Sequence, residues 1–237
     1  MRIALIGMGR MGRMIRDCAA DRGIEVAAEF NTATIAQLAQ CDRMDAVIDF
    51  SAPASLPALA AYVQRTGTPL VSGTTGYCDE EAARVNALGS YAPVALSANF
   101  SIGVAVLKNL AAEAAALLPD FDIEIIETHH RMKKDAPSGT AKLLLSAVNP
   151  EGPRPTVFGR EGFTPRTAGE IGVHAVRGGT VAGVHTVSFF GDEEELSLTH
   201  RAESRRIFAI GALKTAEKLK DAPVGLHTLD ELLFARR

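Results

Sequence analysis

A glycine-rich segment near the N-terminus constrains the fold of this chain more than any other feature. Residues 7–12, Gly-Met-Gly-Arg-Met-Gly, fit the pattern G-x-G-x-x-G and directly follow the apolar run 2–6. Apolar residues at three- and four-residue spacing over 11–20 predict a helix after the glycines. A strand, a glycine-rich turn and a helix in this order are typical of a dinucleotide-binding unit. An ordinary strand-to-helix turn is the alternative interpretation.

The rest of the first hundred residues continues this alternation. Further apolar runs predict strands at 24–30, 45–50, 69–72 and 93–96, with helical segments at 53–65 and 79–89. Continuous apolar strands alternating with helices predict a parallel sheet that is covered on both faces. We therefore expect an α/β fold that begins with a Rossmann-type, doubly wound parallel sheet.

The pattern changes after a predicted helix at 101–118. It predicts a strand at 121–128, a helix at 138–148 and an extended surface loop over 149–169, followed by strands at 171–177, 181–190 and 195–202. Because turns join these last strands directly, we expect antiparallel pairing between successive strands in a separate domain. A helix over 205–220 and a short amphipathic tail close the chain.

Composition narrows the classes of function. The chain has 25 Lys and Arg residues against 28 Asp and Glu residues, which disfavours binding to nucleic acid or to a membrane surface. No apolar run approaches the roughly 18 residues of a membrane-spanning helix. Cys18, Cys41 and Cys78 lack C-x-x-C spacing, so we expect reduced thiols in a cytoplasmic protein. A small-ligand binder or an enzyme remains.

Residues near the ends of the predicted strands are candidates for contacts with a dinucleotide. Glu29 follows the glycines by about twenty residues, where a carboxylate can accept hydrogen bonds from ribose hydroxyls. Phe30 occupies the place of an arginine that would pair with a 2′-phosphate, although Arg10 can still reach one. We therefore expect NADH or NADPH, with dual use or a leaning towards NADH.

Two further strand ends carry small or hydroxyl-bearing residues. Gly73-Thr74-Thr75-Gly76 follows the fourth strand and Ser97-Ala98-Asn99-Phe100 follows the fifth. Ligands of open parallel sheets bind beyond the carboxyl ends of the strands. The backbone there can approach a nicotinamide, and the Phe100 ring can shield it. Each segment taken alone is more typical of a turn than of a binding site.

A cationic segment in the second half is the strongest chemical signal. Five of the six residues 129–134 are or can be cationic, and they lead into Ser138-Gly139-Thr140 at a predicted helix N-terminus. Helix N-terminal amides and cations together suit a carboxylate. His129 can supply a proton near neutrality, and Lys133 can donate one or stabilise negative charge. A solvated charged surface is the alternative interpretation.

The histidines do not predict a metal site. The side chains of His129 and His130 would diverge in a strand, and no H-x-x-x-H or cysteine pair accompanies them. We expect no metal, and satisfied structural roles for the other strand histidines, which are His174, His185 and His200. Arg177 either contributes to the anion pocket or caps a turn.

Taken together, residues 7–12, 73–76, 97–100 and 129–140 resemble the 4-hydroxy-tetrahydrodipicolinate reductase family, formerly called dihydrodipicolinate reductases. The resemblance covers essentially the whole chain, and its most specific part is the motif at 129–140. It implies a dinucleotide-binding domain over 1–100, with 208–237 packing back on it. It also implies a substrate-binding and oligomerisation domain over 101–207, of α+β type with a mixed, largely antiparallel sheet, and a homotetramer.

The resemblance also implies an activity and a set of site residues. The activity is reduction of 4-hydroxy-tetrahydrodipicolinate to tetrahydrodipicolinate by NAD(P)H with loss of water, in the diaminopimelate route to lysine. His129 would be the proton donor or acceptor and Lys133 the second proton donor, while His130, Gly139 and Thr140 would bind the carboxylates of a small dicarboxylate substrate. The implied cofactor-binding residues are Gly7, Met8, Gly9, Arg10, Met11, Gly12, Glu29, Gly73, Thr74, Thr75, Ser97, Ala98, Asn99 and Phe100.

Two alternatives stay open from the sequence. The first is another two-domain NAD(P)-dependent oxidoreductase, such as an amino-acid dehydrogenase, that acts on a different anion. The second is a regulatory protein that keeps the Rossmann fold and senses a nucleotide without turnover. Such a protein would tolerate the loss of His129 and Lys133.

Overall fold

A computed structural model describes residues 1–234 of the chain. The helices and strands are, in chain order, β1 (Arg2–Ile6), α1 (Arg10–Ala20), β2 (Glu25–Phe30), β3 (Ala46–Asp49), α2 (Leu56–Thr66), β4 (Leu70–Ser72), α3 (Asp79–Ala87), β5 (Pro93–Leu96), α4 (Ile102–Leu117), β6 (Asp122–His129), α5 (Gly139–Val148), β7 (Thr156–Phe158), β8 (Ile171–Arg177), β9 (Gly183–Gly191), β10 (Glu194–Ala202), α6 (Arg206–Leu219), β11 (Gly225–Leu226) and α7 (Leu229–Phe234). Short 3₁₀ helices cover Ile35–Gln40, Pro53–Ser55 and Leu88–Ser90.

The chain forms two compact units. The first, called the N-terminal unit below, combines Met1–Ile102 with the chain from Arg206 onward, and the second, the central unit, is Gly103–Arg205. The last three residues of the proposed 208–237 segment lie outside the described residues. Within residues 1–234, no helix is both long and apolar enough to cross a membrane.

The sheet of the N-terminal unit has the order β11-β5-β4-β3-β1-β2 within the described residues, and all of its strand pairs are parallel. The predicted doubly wound parallel sheet is therefore confirmed. The sixth strand, β11, was not predicted, because two residues are too short to show a periodic pattern. It pairs with Pro93 and Val94 at one edge of the sheet.

Alternate residues of each strand supply two separate cores in this unit. On β1, Ile3 and Leu5 belong to the cluster with α1, α6 and α7, while Ala4 and Ile6 belong to the cluster with α2 and α3. Side chains on a strand alternate between the two faces of a sheet, so a strand buried on both faces must be apolar throughout. This explains why the strands read as unbroken apolar runs in the sequence.

The sheet of the central unit is mixed, and its strand order corrects one prediction. The order is β10-β9-β6-β8-β7, with β9 antiparallel to β10 and β6, and β8 parallel to β6 and β7. The predicted mixed, largely antiparallel character is confirmed, since the antiparallel ladders are longer in sum than the parallel ones. The expected β8/β9 hairpin is wrong, since β6 lies between these strands. The linker after β8 crosses the end of β6, where the N–H of Gly178 donates to the carbonyl of His129 at 2.9 Å.

Helices α4 and α5 cover one face of this mixed sheet. On β6, Ile123 and Ile125 are buried in their core, and Glu127 and His129 continue the same face towards the end of the strand. The predicted surface loop over 149–169 contains the short strand β7, which the Pro and Gly residues around it concealed. The register thus places two ionisable side chains where an apolar core would otherwise continue.

Candidate functional site

The glycine segment shows three different environments, one for each glycine. Gly7 has φ +93°, and a Cβ there would lie 2.3 Å from the carbonyl oxygen of Phe50. A Cβ at Gly12 would lie 1.9 Å from the carbonyl oxygen of Gly7, whereas no heavy atom of residues 1–234 lies within 4 Å of a Cβ at Gly9. The first and third glycines are therefore required by packing, while the second leaves an open surface at the N-cap of α1.

The side chains around these glycines point in different directions. Met8 and Met11 are half-buried against the core, and Arg10 is exposed at the first position of α1. Glu29 is exposed on β2, with one carboxylate oxygen 3.9 Å from Nη1 of Arg16. The neighbouring Phe30 is 4% exposed, so Glu29 is the side chain that this end of β2 presents to solvent.

A buried aspartate organises the ends of β3 and β4, and sequence reasoning assigned it no role. Asp49 is fully buried and accepts hydrogen bonds from the hydroxyls of Ser51 at 2.5 Å, Thr74 at 2.8 Å, Ser72 at 3.3 Å and Tyr77 at 3.4 Å. Burial raises the pKa of Asp49, against the opposing effect of these hydroxyl donors. One carboxyl group thus holds both strand ends. The sequence signal that could have identified Asp49 is an aspartate at the end of an apolar strand.

The other strand-end residues divide between exposed and buried positions. Gly73 is half-buried against the Phe50 ring and Thr75 is exposed. After β5, Ala98 is exposed, and the Ser97 hydroxyl donates to the carbonyl of Asn99 at 2.8 Å. These backbone segments lie at the carboxyl edge of the parallel sheet.

The expected shielding role of the Phe100 ring is wrong for this structure. Phe100 is 1% exposed, and its ring centroid lies 5.7 Å from that of Phe50 in the core. A large aromatic ring gains more from burial in the core than from exposure beside a ligand. Any contact of this position with a ligand would therefore involve the backbone.

In the central unit, the buried carboxylate of Glu127 binds the imidazole of His129. The distance from His129 Nδ1 to Glu127 Oε2 is 2.5 Å, and Arg177 donates to both carboxylate oxygens at 2.9 and 2.8 Å. The backbone N–H of Ser138 donates to the same carboxylate at 3.0 Å. These donors outweigh burial and hold the pKa of Glu127 below its usual value. Arg177 therefore belongs to this cluster and does not merely cap a turn.

Burial favours the neutral form of both histidines in this cluster by lowering their pKa values. Burial lowers the pKa of His129, although Glu127 opposes it, and the charges of Lys133 and Arg177 lower it further. Burial also lowers the pKa of His185 to about 4. Its Nε2 lies 3.1 Å from the Ser138 hydroxyl, and its Nδ1 has no hydrogen-bond partner within residues 1–234. The expectation of a satisfied structural role is therefore wrong for His185, which is a member of the cluster and whose Nδ1 is unpartnered among the described residues.

The remaining candidates lie on the loop and helix that follow β6. Ser138 is the N-cap of α5, and its hydroxyl accepts from the N–H of Ala141 at 3.1 Å, which leaves Gly139 exposed and Thr140 half-buried in the first turn. Lys133 donates to Asp135 at 2.8 Å. His130 lies beyond the strand end, with its Nε2 3.3 Å from Nη2 of Arg205. As predicted, the two adjacent histidines diverge.

A metal ion is the other group that this cluster can hold. Glu127, His129 and His185 each offer a ligand atom within 4.8 Å of the others. Both oxygens of Glu127 already accept hydrogen bonds from Arg177, so a metal would have to displace the guanidinium. Metal-binding carboxylates usually keep an oxygen available, and this donor set fits a charge-paired proton-transfer site better.

A Rossmann-type unit and a second unit that carries an acid–base cluster beside a helix N-terminus define the class of two-domain nucleotide-dependent oxidoreductases. Solved structures with this fold include an amine dehydrogenase from Mycobacterium smegmatis, at 13% identity and a TM-score of 0.60, covering 100% of this chain and 97% of that chain. The chain belongs to the dihydrodipicolinate reductase family. The family's N-terminal profile matches residues 1–100 and its C-terminal profile matches residues 103–233.

Relatives agree with this assignment. The 4-hydroxy-tetrahydrodipicolinate reductase of Exiguobacterium sp. is 41% identical over 239 residues, covering 98% of this chain and 95% of the relative. That of Thermomicrobium roseum is 42% identical over 259 residues, covering 98% and 99%. A dipicolinate-bound dihydrodipicolinate reductase from Paenisporosarcina sp. TG-14 shares the fold at 22% identity, with a TM-score of 0.81 and coverage of 98% and 99%. The predicted family, its fold and its oxidoreductase class are confirmed.

The glycine environments predict that alanine substitutions at Gly12 and Gly9 affect stability to very different extents. We expect Gly12→Ala to lower the free energy of unfolding by ~2–3 kcal/mol, because its Cβ would overlap a backbone carbonyl that cannot easily move. Gly9→Ala should change it by less than about 0.5 kcal/mol. Urea denaturation of the full chain measures both. Equal losses in the two variants would contradict the packing role of Gly12.

The buried Asp49 predicts a pH-dependent difference from its amide variant. A group whose pKa rises on folding contributes stability below its unfolded pKa and loses it as the pH rises through the folded pKa. The unfolding free energy of the wild type relative to Asp49→Asn should therefore be highest below the usual aspartate pKa of about 4 and fall as the pH rises above it. Urea denaturation at several pH values checks this. A difference that does not vary with pH would contradict it.

Proposed function

We propose that this chain reduces 4-hydroxy-tetrahydrodipicolinate with NAD(P)H, forming tetrahydrodipicolinate with loss of water, in the diaminopimelate route to lysine. The observation that carries the proposal is the buried Glu127–His129 pair beside the N-terminus of α5. His129 begins the segment 129–140 that carries the most specific part of the resemblance to the family, and Glu127 lies two residues before it. Dipicolinate, the dicarboxylate bound by the structural neighbour from Paenisporosarcina, is chemically close to this substrate.

The N-terminal unit would bind the cofactor. The open surface over Gly9 and the amides at the start of α1 fit a pyrophosphate, which a Cβ at that position would crowd. Glu29 would accept hydrogen bonds from ribose hydroxyls. The bound cofactor supplies a hydride. The remaining proposed contacts lie along Gly7, Met8, Arg10, Met11 and Gly12, and at the strand ends, where Gly73, Thr74, Thr75, Ser97, Ala98, Asn99 and the backbone of Phe100 would contribute.

The central unit would bind the substrate and handle protons. The first-turn amides of Gly139 and Thr140, together with His130, would bind the substrate carboxylates. Because Nδ1 of His129 faces Glu127, its Nε2 is the atom that would first take up a proton from solvent and then deliver it from the protonated ring as the substrate accepts a hydride. Lys133 would offset negative charge or deliver a second proton, and its hydrogen bond to Asp135 holds the ammonium group in place.

We propose that residues 1–100 with 208–237 form the dinucleotide-binding domain, and that 101–207 form a substrate-binding and oligomerisation domain. We propose that the domain assembles as a homotetramer. The sheet face opposite α4 and α5 supports an association of copies, because Ile126, Val176 and Phe190 are 42%, 47% and 39% exposed there. The unpaired thiols of Cys18, Cys41 and Cys78 support a cytoplasmic location.

Substitutions of the two proton-handling residues test the mechanism. We expect His129→Gln and Lys133→Ala to lower kcat by ~10²-fold or more, because each removes a group that donates a proton. Lys134→Ala is the matched control, since it removes a neighbouring charge from the same loop. The assay follows NAD(P)H absorbance with freshly generated 4-hydroxy-tetrahydrodipicolinate. Near-normal turnover in both test variants would contradict the assignment. A nucleotide-sensing protein would instead show no turnover, and it would bind the cofactor equally well in the wild type and in both variants. A different oxidoreductase would not oxidise the cofactor in this assay.

Cofactor use tests the interpretation of Phe30. Because this position carries no arginine for a 2′-phosphate, kcat/KM with NADPH should exceed that with NADH by no more than about tenfold, which is ~1.4 kcal/mol. If Arg10 contacts that phosphate, Arg10→Ala should lower kcat/KM for NADPH and leave that for NADH nearly unchanged. Steady-state kinetics with both cofactors measures this. A preference for NADPH above about tenfold would contradict the prediction.

A further inference from the structure

We propose that Glu127 is a positioning residue that sets both the tautomer of His129 and the placement of the first turn of α5. The inference rests on the proposed function, in which His129 handles a proton and that turn binds substrate carboxylates. The geometry that supports it is a single buried carboxylate, which accepts hydrogen bonds from an imidazole, an arginine and the N-cap amide of a helix.

The strand register brings the imidazole and the carboxylate together. Glu127 and His129 are two residues apart on β6, so their side chains lie on the same face of the sheet. With Glu127 ionised, a hydrogen bond of 2.5 Å requires that Nδ1 of His129 carries the proton. The neutral ring then has its lone pair at Nε2, which is the atom available to the substrate. Glu127 thus determines which nitrogen takes part in proton transfer.

Arg177 keeps this carboxylate ionised in a fully buried position. It lies on β8 in register with His129, and its guanidinium donates to both oxygens of Glu127. Its Nη2 also donates to the carbonyl of Asp135 at 2.6 Å, which ties the loop after β6 to the same group. A buried carboxylate without such a partner would take up a proton. It would then no longer accept reliably from the imidazole.

The second strand next to β6 leaves space around the reactive nitrogen. A Cβ at Gly183 on β9 would lie 3.2 Å from Nε2 of His129. The glycine therefore keeps a side chain away from the atom that Glu127 leaves unprotonated in the neutral ring. Three strands contribute to one arrangement: β6 supplies the pair, β8 the counter-charge and β9 the clearance.

The same carboxylate reaches the proposed substrate site. Its Oε1 accepts the N–H of Ser138, which is the N-cap of α5 and precedes Gly139 and Thr140. A change at Glu127 should therefore alter both the proton-transfer group and the carboxylate-binding turn. A residue that affected only the His129 ring would change kcat alone, whereas Glu127 should change kcat and the KM for the dicarboxylate substrate together.

The tautomer of His129 is the direct test, and it needs no substrate. In ¹⁵N-labelled full-length protein, two-bond ¹H–¹⁵N correlations distinguish Nδ1–H from Nε2–H rings, and the His129→Asn variant identifies the His129 signals. We expect Nδ1–H for the neutral ring in the wild type. We expect a shift towards Nε2–H in Glu127→Gln, because a carboxamide N–H at this place would donate to Nδ1. A wild-type Nε2–H ring, or an unchanged tautomer in the variant, would overturn the proposal.

A matched control comes from the other face of the same strand. Glu124 accepts from His174 across a distance of 2.7 Å between Oε2 and Nε2, in a second Glu–His pair of β6. Glu124→Gln should leave the His129 tautomer unchanged, because residues 124 and 127 point to opposite faces. A shifted His129 tautomer in this variant would show a general disturbance of the strand and contradict a specific role of Glu127. If Glu127→Gln does not fold, the tautomer of His129 in the wild type still tests the proposal.

Kinetics give the second readout. The groups that affect the charge of His129 are Glu127, Lys133, Arg177 and His185, and Glu127 alone among these four bears negative charge. If protonated His129 is the donor, kcat/KM falls as the pH rises through its pKa. Loss of the Glu127 charge lowers that pKa, so this limb should move to lower pH by about one unit. We also expect kcat to fall by ~10-fold or more and KM to rise.

The conservative variant and the wild type separate the possible outcomes. Glu127→Asp keeps the negative charge, so the pH at which kcat/KM falls should stay near its wild-type value. The shorter side chain lies farther from His129, and kcat can still fall. If kcat/KM of Glu127→Gln falls at the same pH as that of the wild type, the positioning role is overturned. Absence of turnover in the wild type with an Nδ1–H ring would instead reject the proposed function, and leave the assignment of Glu127 to the His129 tautomer intact.

Discussion

The ion pair between Glu127 and Arg177 is the interaction on which the rest of the central unit depends. A fully buried carboxylate is costly unless hydrogen bonds and an opposite charge compensate it, and here a bidentate guanidinium, an imidazole and a backbone amide do so. The three donors come from different elements, since His129 lies on β6, Arg177 on β8 and Ser138 at the N-cap of α5. The carboxylate therefore aligns β6, β8 and the start of α5 around one point, and the acid–base histidine is held at that point.

The N-terminal unit stabilises its buried carboxyl group in a different way. Asp49 has hydroxyl donors around it and no arginine among its hydrogen-bond partners in the part of the chain described, so burial raises its pKa, whereas the pKa of Glu127 is lowered. The contrast matches the two proposed tasks. A polarised acid–base site needs a fixed negative charge next to the imidazole. The hydroxyl donors of Asp49 instead tie together the ends of β3 and β4, where part of the proposed dinucleotide site lies.

Much of the fold could be predicted because it rests on local patterns. β1 and β5 begin and end where the apolar runs predicted, since strands buried on both faces must be apolar throughout. β8 also has its predicted bounds. The order of the strands in a sheet could not be predicted in the same way. β6 lies between β8 and β9, although β8 and β9 are joined by a short linker, because sequence proximity does not determine which strands pair. The same limit hid β11, which is stable only because β5 offers it an edge.

The sequence by itself determined the glycine turn, the cationic loop and the helix start at Ser138, because each is a short segment whose chemistry depends on adjacent residues. It also identified the family through the motif at 129–140. Only the tertiary structure decided the surroundings of the Glu127–His129 pair, because Arg177 binds Glu127 and Gly183 borders His129 from strands about fifty residues away along the chain. It likewise placed the Phe100 ring in the core. Burial and pairing across strands depend on the whole fold, so no local pattern can report them.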